Sequence, residues 1–331
     1  MIIDIHAHLI APPELYAYKS GLLANRGANG KDDPGISDEL LDQHALQNIE
    51  LMDSVGTDIQ LLSARPFQLM TSETPARIVH HWVATNNEII QRQVQMHPDR
   101  FRGVANLPHA AGEPIESALE ELDRCIGEFG FVGALLNPDP GEGRSDTPPL
   151  GEEYWYPLYE RLTALDLPAH IHSAGCNDGR ESYSSHFITE ESIAILSLLE
   201  SRVFLDFPEL KILVSHGGGS VPYQVGRWQA QRLHPKLGGG RTLDERFEES
   251  LRRLYFDTVL HYPPALKLLI ELVGADRCLF GTEKPGSGSA TDPETGRHFD
   301  DLKPVLESFD WLSDGDRQLI FEDNARALFR L

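Results

Sequence analysis

Short apolar runs alternate with helix-like segments along the chain, and this alternation restricts its fold more than any other feature. Each run is rich in Val, Ile, Leu or Phe, and loop residues follow it. Continuous apolar runs of this length are typical of parallel strands that are buried on both faces. The predicted strands are Ile2–His8, Asp58–Ser63, Gly103–Leu107, Val132–Asn137, Ala169–His172, Ile212–His216, Tyr255–Thr258 and Cys278–Thr282.

Between these runs, apolar residues recur with the spacing of a helix. Ser37 is predicted to cap a helix that ends at Gly56, and Thr74 to cap one whose first residue is Pro75. The other predicted helices are Ser117–Ile126, Tyr154–Leu165, Glu190–Leu199, Pro222–Leu233, Ala265–Val273 and Asp314–Leu328.

Eight strands that alternate with helices favour an α/β fold of the (β/α)8 type, a TIM barrel, over an open sheet. An open dinucleotide-binding sheet would need a Gly-rich turn where this chain has His6-Ala7-His8. We therefore expect one barrel domain over residues 1–331, with loop insertions at its C-terminal face that form a lid or a small cap. The stretches that fit neither period are Ile10–Gly35, Asp139–Gly151, Gly175–Ser185 and Lys236–Arg241.

Composition restricts the partners of this chain. It has 29 basic and 51 acidic residues and a formal net charge of −22, so we expect binding neither to nucleic acid nor to an anionic membrane. No apolar run is long enough to span a bilayer, and the first residues enter a strand directly, so we expect a cytoplasmic protein. An anionic small-molecule substrate would need local arginines and a metal ion to hold it.

His6 and His8 lie two residues apart at the end of the first predicted strand. Residues i and i+2 of a strand point to the same side, so both imidazoles would face one way. Neutral imidazole is a preferred ligand of zinc and of neighbouring metals. The pair therefore predicts two ligands of a divalent metal ion.

Further histidines and an acid end three later strands. His172 ends the fifth, His216 with three glycines ends the sixth, and Glu283 follows the eighth. Catalytic residues of barrels come from the ends of several strands, although a single strand-end histidine is often only structural. Of His170 and His172, we expect only His172 to reach the site. Glu283 would be a costly buried charge unless it faces a metal, a histidine or water.

Other strand-end residues are candidates for binding a substrate. Arg65 follows the second strand, and a guanidinium matches the geometry of a carboxylate. Asn137 ends the fourth strand. Arg227 lies in the helix after His216, where a surface salt bridge is an equally good interpretation. Asp257, on the seventh strand, is a candidate to orient a neighbouring side chain.

His6-Ala7-His8, His172, His216 and the acid after the eighth strand resemble the amidohydrolase superfamily, in particular the branch that contains amino-carboxymuconate-semialdehyde decarboxylases and hydroxybenzoate decarboxylases. Within this branch the chain is most similar to the 4-oxalomesaconate hydratases. The stretches that carry this resemblance are Leu136–Gly141 with Tyr154–Pro157, His172–Asn177, His216–Tyr223 with Gly226–Arg227, and Phe280–Glu283 with Asp292–Gly296 and Phe299–Asp301.

The residue after the eighth strand separates the branches, because the decarboxylases usually carry Asp where this chain has Glu283, as the hydratases do. The chain also departs from the hydratase pattern at His170, where an apolar residue is expected. The segments Glu181–Thr189 and Lys284–Ser289 differ as well. These segments are expected to face the pocket, so the differences bear on the identity of the substrate more than on the type of reaction.

The resemblance implies a metal-dependent hydratase of aromatic catabolism, acting on an unsaturated keto-polycarboxylate in the protocatechuate 4,5-cleavage pathway. It implies a single metal ion, Zn²⁺ with Mn²⁺ as the alternative, and the possibility of a homodimer. The expected metal ligands are His6, His8, His172 and Glu283, and the expected catalytic residues are Glu283 as the base and His216 as the acid. The expected carboxylate-binding residues are Arg65, Asn137, Asn177 and Arg227.

Three alternatives stay open from the sequence. The first is a non-oxidative decarboxylase of a hydroxylated aromatic acid, and the second is a metal-dependent hydrolase of a lactone or an amide. The third is a metal-binding barrel without catalytic activity.

Overall fold

Eight parallel strands form a barrel within the described part of the chain, and each strand pairs with the next in sequence. The structure is a computed structural model that describes residues 1–29, 33–144, 147–237 and 245–331. The strands are β1 (Ile3–His8), β2 (Ile59–Ser63), β3 (Phe101–Asn106), β4 (Gly133–Leu136), β5 (Ala169–Ile171), β6 (Ile212–Val214), β7 (Tyr255–Asp257) and β8 (Cys278–Leu279).

Hydrogen bonds between β1 and the segment that follows β8 close the barrel. The amide of Ile5 donates to the carbonyl of Phe280 at 2.9 Å, and the amide of Glu283 donates to the carbonyl of His6 at 2.8 Å. The predicted (β/α)8 barrel is therefore confirmed, and the ends of β1, β5, β6 and β8 meet at one face.

Helices connect the strands and cover the barrel. They are α1 (Pro13–Ala24), α2 (Asp38–Val55), α3 (Arg77–Met96), α4 (Leu119–Gly127), α5 (Tyr156–Ala164), α6 (Tyr183–Leu199), α7 (Val203–Asp206), α8 (Val225–Leu233), α9 (Phe247–Leu251), α10 (Pro263–Val273), α11 (Lys303–Glu307), α12 (Asp314–Gln318) and α13 (Asn324–Phe329). A π-helical turn, Leu319–Asp323, joins the last two. None of the helices in these ranges combines the length and hydrophobicity that a membrane crossing requires.

The predicted strands exist, but several end earlier than predicted. β6 ends at Val214 and β8 at Leu279, so His216 and Glu283 lie beyond the last residues of these two strands. Both residues have positive φ angles, 50° and 57°, and a strand cannot continue through this left-handed conformation. The side chains of His216 and Glu283 are therefore carried by the loops that follow β6 and β8, at the C-terminal face of the barrel.

The helices α1, α7, α9 and α11 form where none was expected, and α6 begins earlier than predicted. α1 lies inside the stretch Ile10–Gly35, and α6 begins at Tyr183 rather than at Glu190 because the hydroxyl of Ser182 accepts from the amide of Ser185 and caps it. The weak apolar period of α1 explains why the sequence did not reveal it.

The two predicted helix caps had different outcomes. The hydroxyl of Ser37 accepts from the amide of Leu40, and Gly56 ends α2 in the left-handed conformation, as predicted. The prediction for Pro75 is wrong, because α3 begins at Arg77 and the carbonyl of Pro75 only accepts from Ile78 in the preceding turn. Predicted loop residues 30–32, 145–146 and 238–241 lie outside the described residues.

Two buried apolar clusters hold the fold together. One joins the strands to the surrounding helices. The other contains buried residues from six strands, namely Ile3, Ile59, Leu61, Val104, Leu135, Leu213 and Leu279. Burial of this apolar surface fixes the relative positions of the strand ends and hence of the side chains that they carry.

Candidate active site

Four buried side chains from three distant parts of the sequence meet at the C-terminal face of the barrel. His6 and His8 lie on β1, His172 follows β5, and Glu283 follows β8. One candidate ligand atom of each lies within 4.8 Å of those of the others. The ring centroids of His6 and His172 are 5.0 Å apart, and those of His6 and His8 are 5.1 Å apart. The structure therefore brings together all four predicted metal ligands.

Each of the three imidazoles uses Nδ1 to bind a neighbour. Nδ1 of His6 lies 2.6 Å from Oδ2 of Asp257, which can only accept a hydrogen bond while it is ionised. Nδ1 of His172 lies 2.7 Å from the carbonyl oxygen of Ser173. These acceptors place the proton on Nδ1 of both rings and leave a lone pair on Nε2.

His8 also carries its proton on Nδ1, which binds the hydroxyl of Ser63. Its Nδ1 lies 3.0 Å from this oxygen, which in turn lies 3.2 Å from the carbonyl oxygen of Ala64. The hydroxyl therefore donates to the carbonyl and accepts from the imidazole. The Nε2 atom of His8 is left with a lone pair, like those of the other two histidines.

The four-residue group fits a divalent metal ion. The Nε2 atoms of His6, His8 and His172 are all buried and make no hydrogen bond, and a buried polar atom without a partner is costly. Burial lowers the pKa of His8 and of His172 well below the usual value, so that both are neutral ligands. Three neutral imidazoles and one carboxylate match the donor set of Zn²⁺ or of Mn²⁺.

His216 lies beside this group on the turn that follows β6. Its Nδ1 lies 2.8 Å and 3.0 Å from the two carboxylate oxygens of Glu191. Its Nε2 lies 3.9 Å from Oε2 of Glu283. Although burial lowers the pKa of His216, the carboxylates of Glu191 and Glu283 together raise it well above its usual value. The ring is therefore suited to donate a proton.

The glycines after His216 allow this turn to pack closely against its neighbours. Gly218 has a φ of 83°, and a Cβ atom there would lie 2.7 Å from the ring of Phe256. A side chain would therefore need both an unfavourable backbone conformation and a displaced neighbour.

Glu283, the acidic member of the metal-ligand group, lies between His8 and His216. Its Oε1 is 3.8 Å from Nε2 of His8, and the hydroxyl of Ser287 donates to its Oε2 at 3.3 Å. Burial alone would raise the pKa of Glu283, but the nearby imidazole of His216 lowers it well below its usual value. The side chain is therefore a carboxylate at neutral pH, in contact with both groups.

Two buried acids orient the histidines. Asp257 holds His6 through one oxygen, and its other oxygen accepts from the amide of Gly217 at 2.9 Å, so its predicted orienting role is confirmed. The sequence reasoning missed Glu191, whose partner is His216. The signal was its position on the apolar stripe of α6, in register with Ala194, Ile195 and Leu198, where an acid is rare.

His170 lies deeper in the barrel than His172. Its Nε2 is 2.9 Å from the hydroxyl of Ser215, and its ring centroid is 5.1 Å from that of His6. Of these two histidines only His172 belongs to the four-residue group, as expected, although the ring of His170 also approaches His6. Residues i and i+2 share one side of a strand, so both rings contact His6.

A cavity of about 280 Å³ opens onto the metal-ligand group. Arg65 lines it, and both terminal nitrogens of its guanidinium donate to the carbonyl of Pro285 at 3.4 Å. The other lining residues are His8, Pro66, Phe67, His172, Tyr183, Phe187, Glu283, Pro285, Gly286, Ser287 and Ser289. The cavity thus combines one cation, aromatic walls and three of the four proposed ligands.

The other predicted carboxylate-binding residues do not line this cavity. The amide of Asn137 donates to the hydroxyl of Thr71 at 3.2 Å. The amide of Asn177 donates to the hydroxyl of Ser72 and to the carboxylate of Glu142. Arg227 is exposed on α8.

Comparisons with known proteins agree with this geometry. The 2-keto-4-carboxy-3-hexenedioate hydratase of Sphingobium sp. is 34% identical over 340 residues, which cover 99% of this chain and 96% of that protein. The crystal structure of 4-oxalomesaconate hydratase from Rhodopseudomonas palustris superposes with a TM-score of 0.88 at 32% identity, covering 100% of this chain and 96% of that one.

A decarboxylase is also among the similar structures. The dihydroxybenzoic acid decarboxylase of Polaromonas sp., solved with bound manganese, has a TM-score of 0.74 at 26% identity and covers 100% of this chain and 97% of that one. These similarities confirm the predicted resemblance to hydratases and decarboxylases of one superfamily. A family model described as amidohydrolase matches residues 3–331, and the chain therefore belongs to the amidohydrolase family.

Proposed function

We propose that this chain is a metal-dependent hydratase, a carbon–oxygen lyase that adds water reversibly to the C=C bond of an unsaturated keto-polycarboxylate. The proposed substrate is 4-oxalomesaconate, which reacts as its conjugated tautomer 2-keto-4-carboxy-3-hexenedioate, and the product is 4-carboxy-4-hydroxy-2-oxoadipate, within aromatic catabolism. One observation carries this proposal. The carboxylate of Glu283 lies 3.8 Å from a predicted metal ligand, His8, and 3.9 Å from a second proton-transfer group, His216. The hydratases similar to this chain support the choice of reaction.

The metal of this proposal is Zn²⁺, held by His6, His8, His172 and Glu283. A set of three imidazoles and one carboxylate favours zinc, whereas the manganese in the related decarboxylase supports Mn²⁺ as the alternative. When bound, such an ion would polarise the keto group of the substrate and make the alkene more electrophilic.

The proton transfers are assigned to Glu283 and His216. Glu283 is ionised at neutral pH, and we propose that it accepts a proton from the attacking water. Glu191 keeps His216 protonated, and we propose that Nε2 of His216 delivers a proton to the carbon next to the keto group. Nε2 of His216 lies 3.9 Å from Oε2 of Glu283, so the proton that Glu283 accepts from water can pass to His216 between turnovers.

Binding of the substrate carboxylates is assigned first to Arg65, the predicted carboxylate clamp that lines the cavity. Asn137, Asn177 and Arg227 stay predictions for this role. We propose that residues 1–331 act as one domain, in the cytoplasm and as a homodimer. Cell fractionation and light scattering test the last two expectations.

A decarboxylase of a hydroxylated aromatic acid is the second candidate, because a decarboxylase 26% identical to this chain superposes on it with a TM-score of 0.74. Glu283 disfavours it, since decarboxylases of this branch usually carry Asp there.

Parallel assays of the metal-loaded protein separate the two candidates. We expect 4-oxalomesaconate to lose its enone absorbance, and 2,6-dihydroxybenzoate to release no carbon dioxide. Turnover of the dihydroxybenzoate without turnover of 4-oxalomesaconate would reverse the assignment. Turnover of neither, with metal bound, would contradict both.

A further inference from the structure

A second cluster of metal-ligating side chains lies where the loop after β4 meets the first turns of α6. Asp139 comes from the loop, and His186 and Glu190 come from the helix. One candidate ligand atom of each lies within 4.8 Å of those of the other two. The hydratase reaction described above uses none of these three residues.

The helix α6 positions His186 and Glu190, and hydrogen bonds within the loop after β4 position Asp139. His186 and Glu190 are four residues apart on α6, so they lie on the same face of the helix, one turn apart. The side-chain oxygen of Asn137 accepts from the amide of Asp139 at 3.1 Å, and Oδ2 of Asp139 accepts from the amide of Gly143. These contacts fix the loop carboxylate opposite the helix.

The imidazole of His186 points into this cluster with an unused nitrogen. The side chain is 1% exposed, and its Nε2 makes no hydrogen bond although it lies 3.4 Å from Oδ2 of Asp139. Its Nδ1 lies 3.0 Å from Oε2 of Glu181. Protein metal sites commonly use this arrangement, in which a carboxylate accepts from one ring nitrogen and the other nitrogen binds the ion.

The cluster carries more negative charge than its own residues neutralise. Asp139, Glu181 and Glu190 surround a single histidine. Burial and the charge of Asp139 raise the pKa of Glu190 to about 7, which is the expected result of crowding like charges. Protonation of His186 supplies one positive charge, whereas a divalent cation would supply two.

We propose that Asp139, His186 and Glu190 bind a second divalent transition-metal ion, Mn²⁺ or Zn²⁺, outside the four-residue active site. Two carboxylates and one imidazole are ligands that either ion accepts. The ion would tie the loop after β4 to α6, the helix that carries Tyr183 and Phe187 into the wall of the substrate cavity. Its role is therefore structural support of the cavity.

Metal counting tests this site without any assay of activity. The full-length protein is depleted of metal, equilibrated with Mn²⁺ by dialysis, and analysed for manganese per chain. We expect two equivalents in the wild type and one in Glu190→Gln, which removes a ligand charge with little change in size. His186→Ala is the second variant, and circular dichroism verifies that both are folded.

The matched control is His80→Ala, because His80 also contacts a carboxylate, that of Glu113 at 2.6 Å, but lies outside the cluster. We expect this variant to keep both equivalents. The decisive quantity is the difference in bound manganese between the wild type and either cluster variant, which we expect to be one equivalent per chain. This difference does not depend on the hydratase assignment. If both variants bind as much manganese as the wild type, the proposal is overturned.

Discussion

Hydrogen bonds at Nδ1 decide what the three histidines of the active site can do. His6, His8 and His172 each bind a neighbour through this atom and leave Nε2 free and buried. Partners of this kind fix the orientation of a metal ligand and increase its basicity. The proposed metal site is therefore preorganised by residues that are not themselves among its proposed ligands.

Glu283→Gln is expected to bind metal but to turn over substrate about 100- to 10,000-fold more slowly, because an amide cannot accept a proton from water. Measurement of kcat and of metal content on the same preparation checks this. The control is Glu307→Gln, an exposed glutamate paired with Lys303, which should retain full activity. Near-normal turnover in Glu283→Gln would contradict the role of Glu283 as general base.

Glu191→Gln is expected to reduce kcat about 10- to 100-fold, as loss of the partner of an active-site histidine does. The carboxylate raises the pKa of His216, so its removal lowers this pKa. His216 is the proposed acid, and the alkaline limb of the pH–rate profile should therefore move to lower pH. Glu191→Asp should restore part of the shift. An unchanged alkaline limb in Glu191→Gln would exclude this positioning role.

His109 gives a pH-dependent contribution to stability. Its Nε2 lies 2.7 Å from the hydroxyl of Tyr154, and its buried Nδ1 has no hydrogen bond. Burial lowers the pKa of His109 to about 4, below the value of about 6.5 expected in the unfolded chain. The unfolded state therefore binds more protons between these values, and stability falls as the pH decreases from 6.5 to 4.

Replacing this side chain removes the effect. We expect His109→Gln to make the free energy of unfolding less dependent on pH in this window, by up to about 3 kcal/mol. Urea unfolding at pH 4.5 and 6.5 measures it. Equal pH dependence in wild type and variant would show that His109 is not the titrating group.

At the scale of elements, α6 combines several tasks of the site. It carries Glu191 beneath His216, and its residues Tyr183 and Phe187 line the cavity, with the ring of Phe187 stacked on that of His216 at an interplanar angle of 9°. The apolar period of the sequence revealed only its second half, from Glu190. The first three residues, Tyr183–Ser185, are exposed, so the hydroxyl cap of Ser182 rather than burial decides where the helix begins.

The cap of α2 is a local feature that the sequence alone predicted. Ser37→Ala is expected to lower the free energy of unfolding by about 1 kcal/mol, because the amide of Leu40 loses its acceptor. Urea denaturation measures the loss, and kcat should not change, since α2 contributes no residue to the cavity. Ser54→Ala, at an exposed hydroxyl near the end of the same helix, serves as the control. Equal losses in the two variants would contradict a specific role of the cap.

At the scale of the whole molecule, the sequence predicted the site residues at the strand ends, but it did not reveal which helix side chains reach the site. His6, His8, His172 and Glu283 were predicted together because parallel strand ends meet at one face of the barrel. Glu191 was missed because no local pattern reveals which histidine a helix residue will meet. Arg227 follows His216 closely in sequence but lies exposed on α8, since the direction of a helix side chain depends on packing.

The net charge of −22 also acts on the whole molecule, since it repels an anionic substrate at long range. Binding of a polycarboxylate therefore has to arise within the cavity, where Arg65 and the metal-ligand group lie side by side.

The central claim is that this site adds water to a carbon–carbon double bond. The most direct test incubates the metal-loaded enzyme with 4-oxalomesaconate in ¹⁸O-labelled water and follows the product by mass spectrometry. Once the exchangeable keto oxygen has been returned to ¹⁶O in unlabelled water, the account predicts a product that has gained one water, carries one ¹⁸O atom in its new hydroxyl group and keeps every carbon. A product that has lost carbon dioxide, or an unchanged substrate, would contradict it.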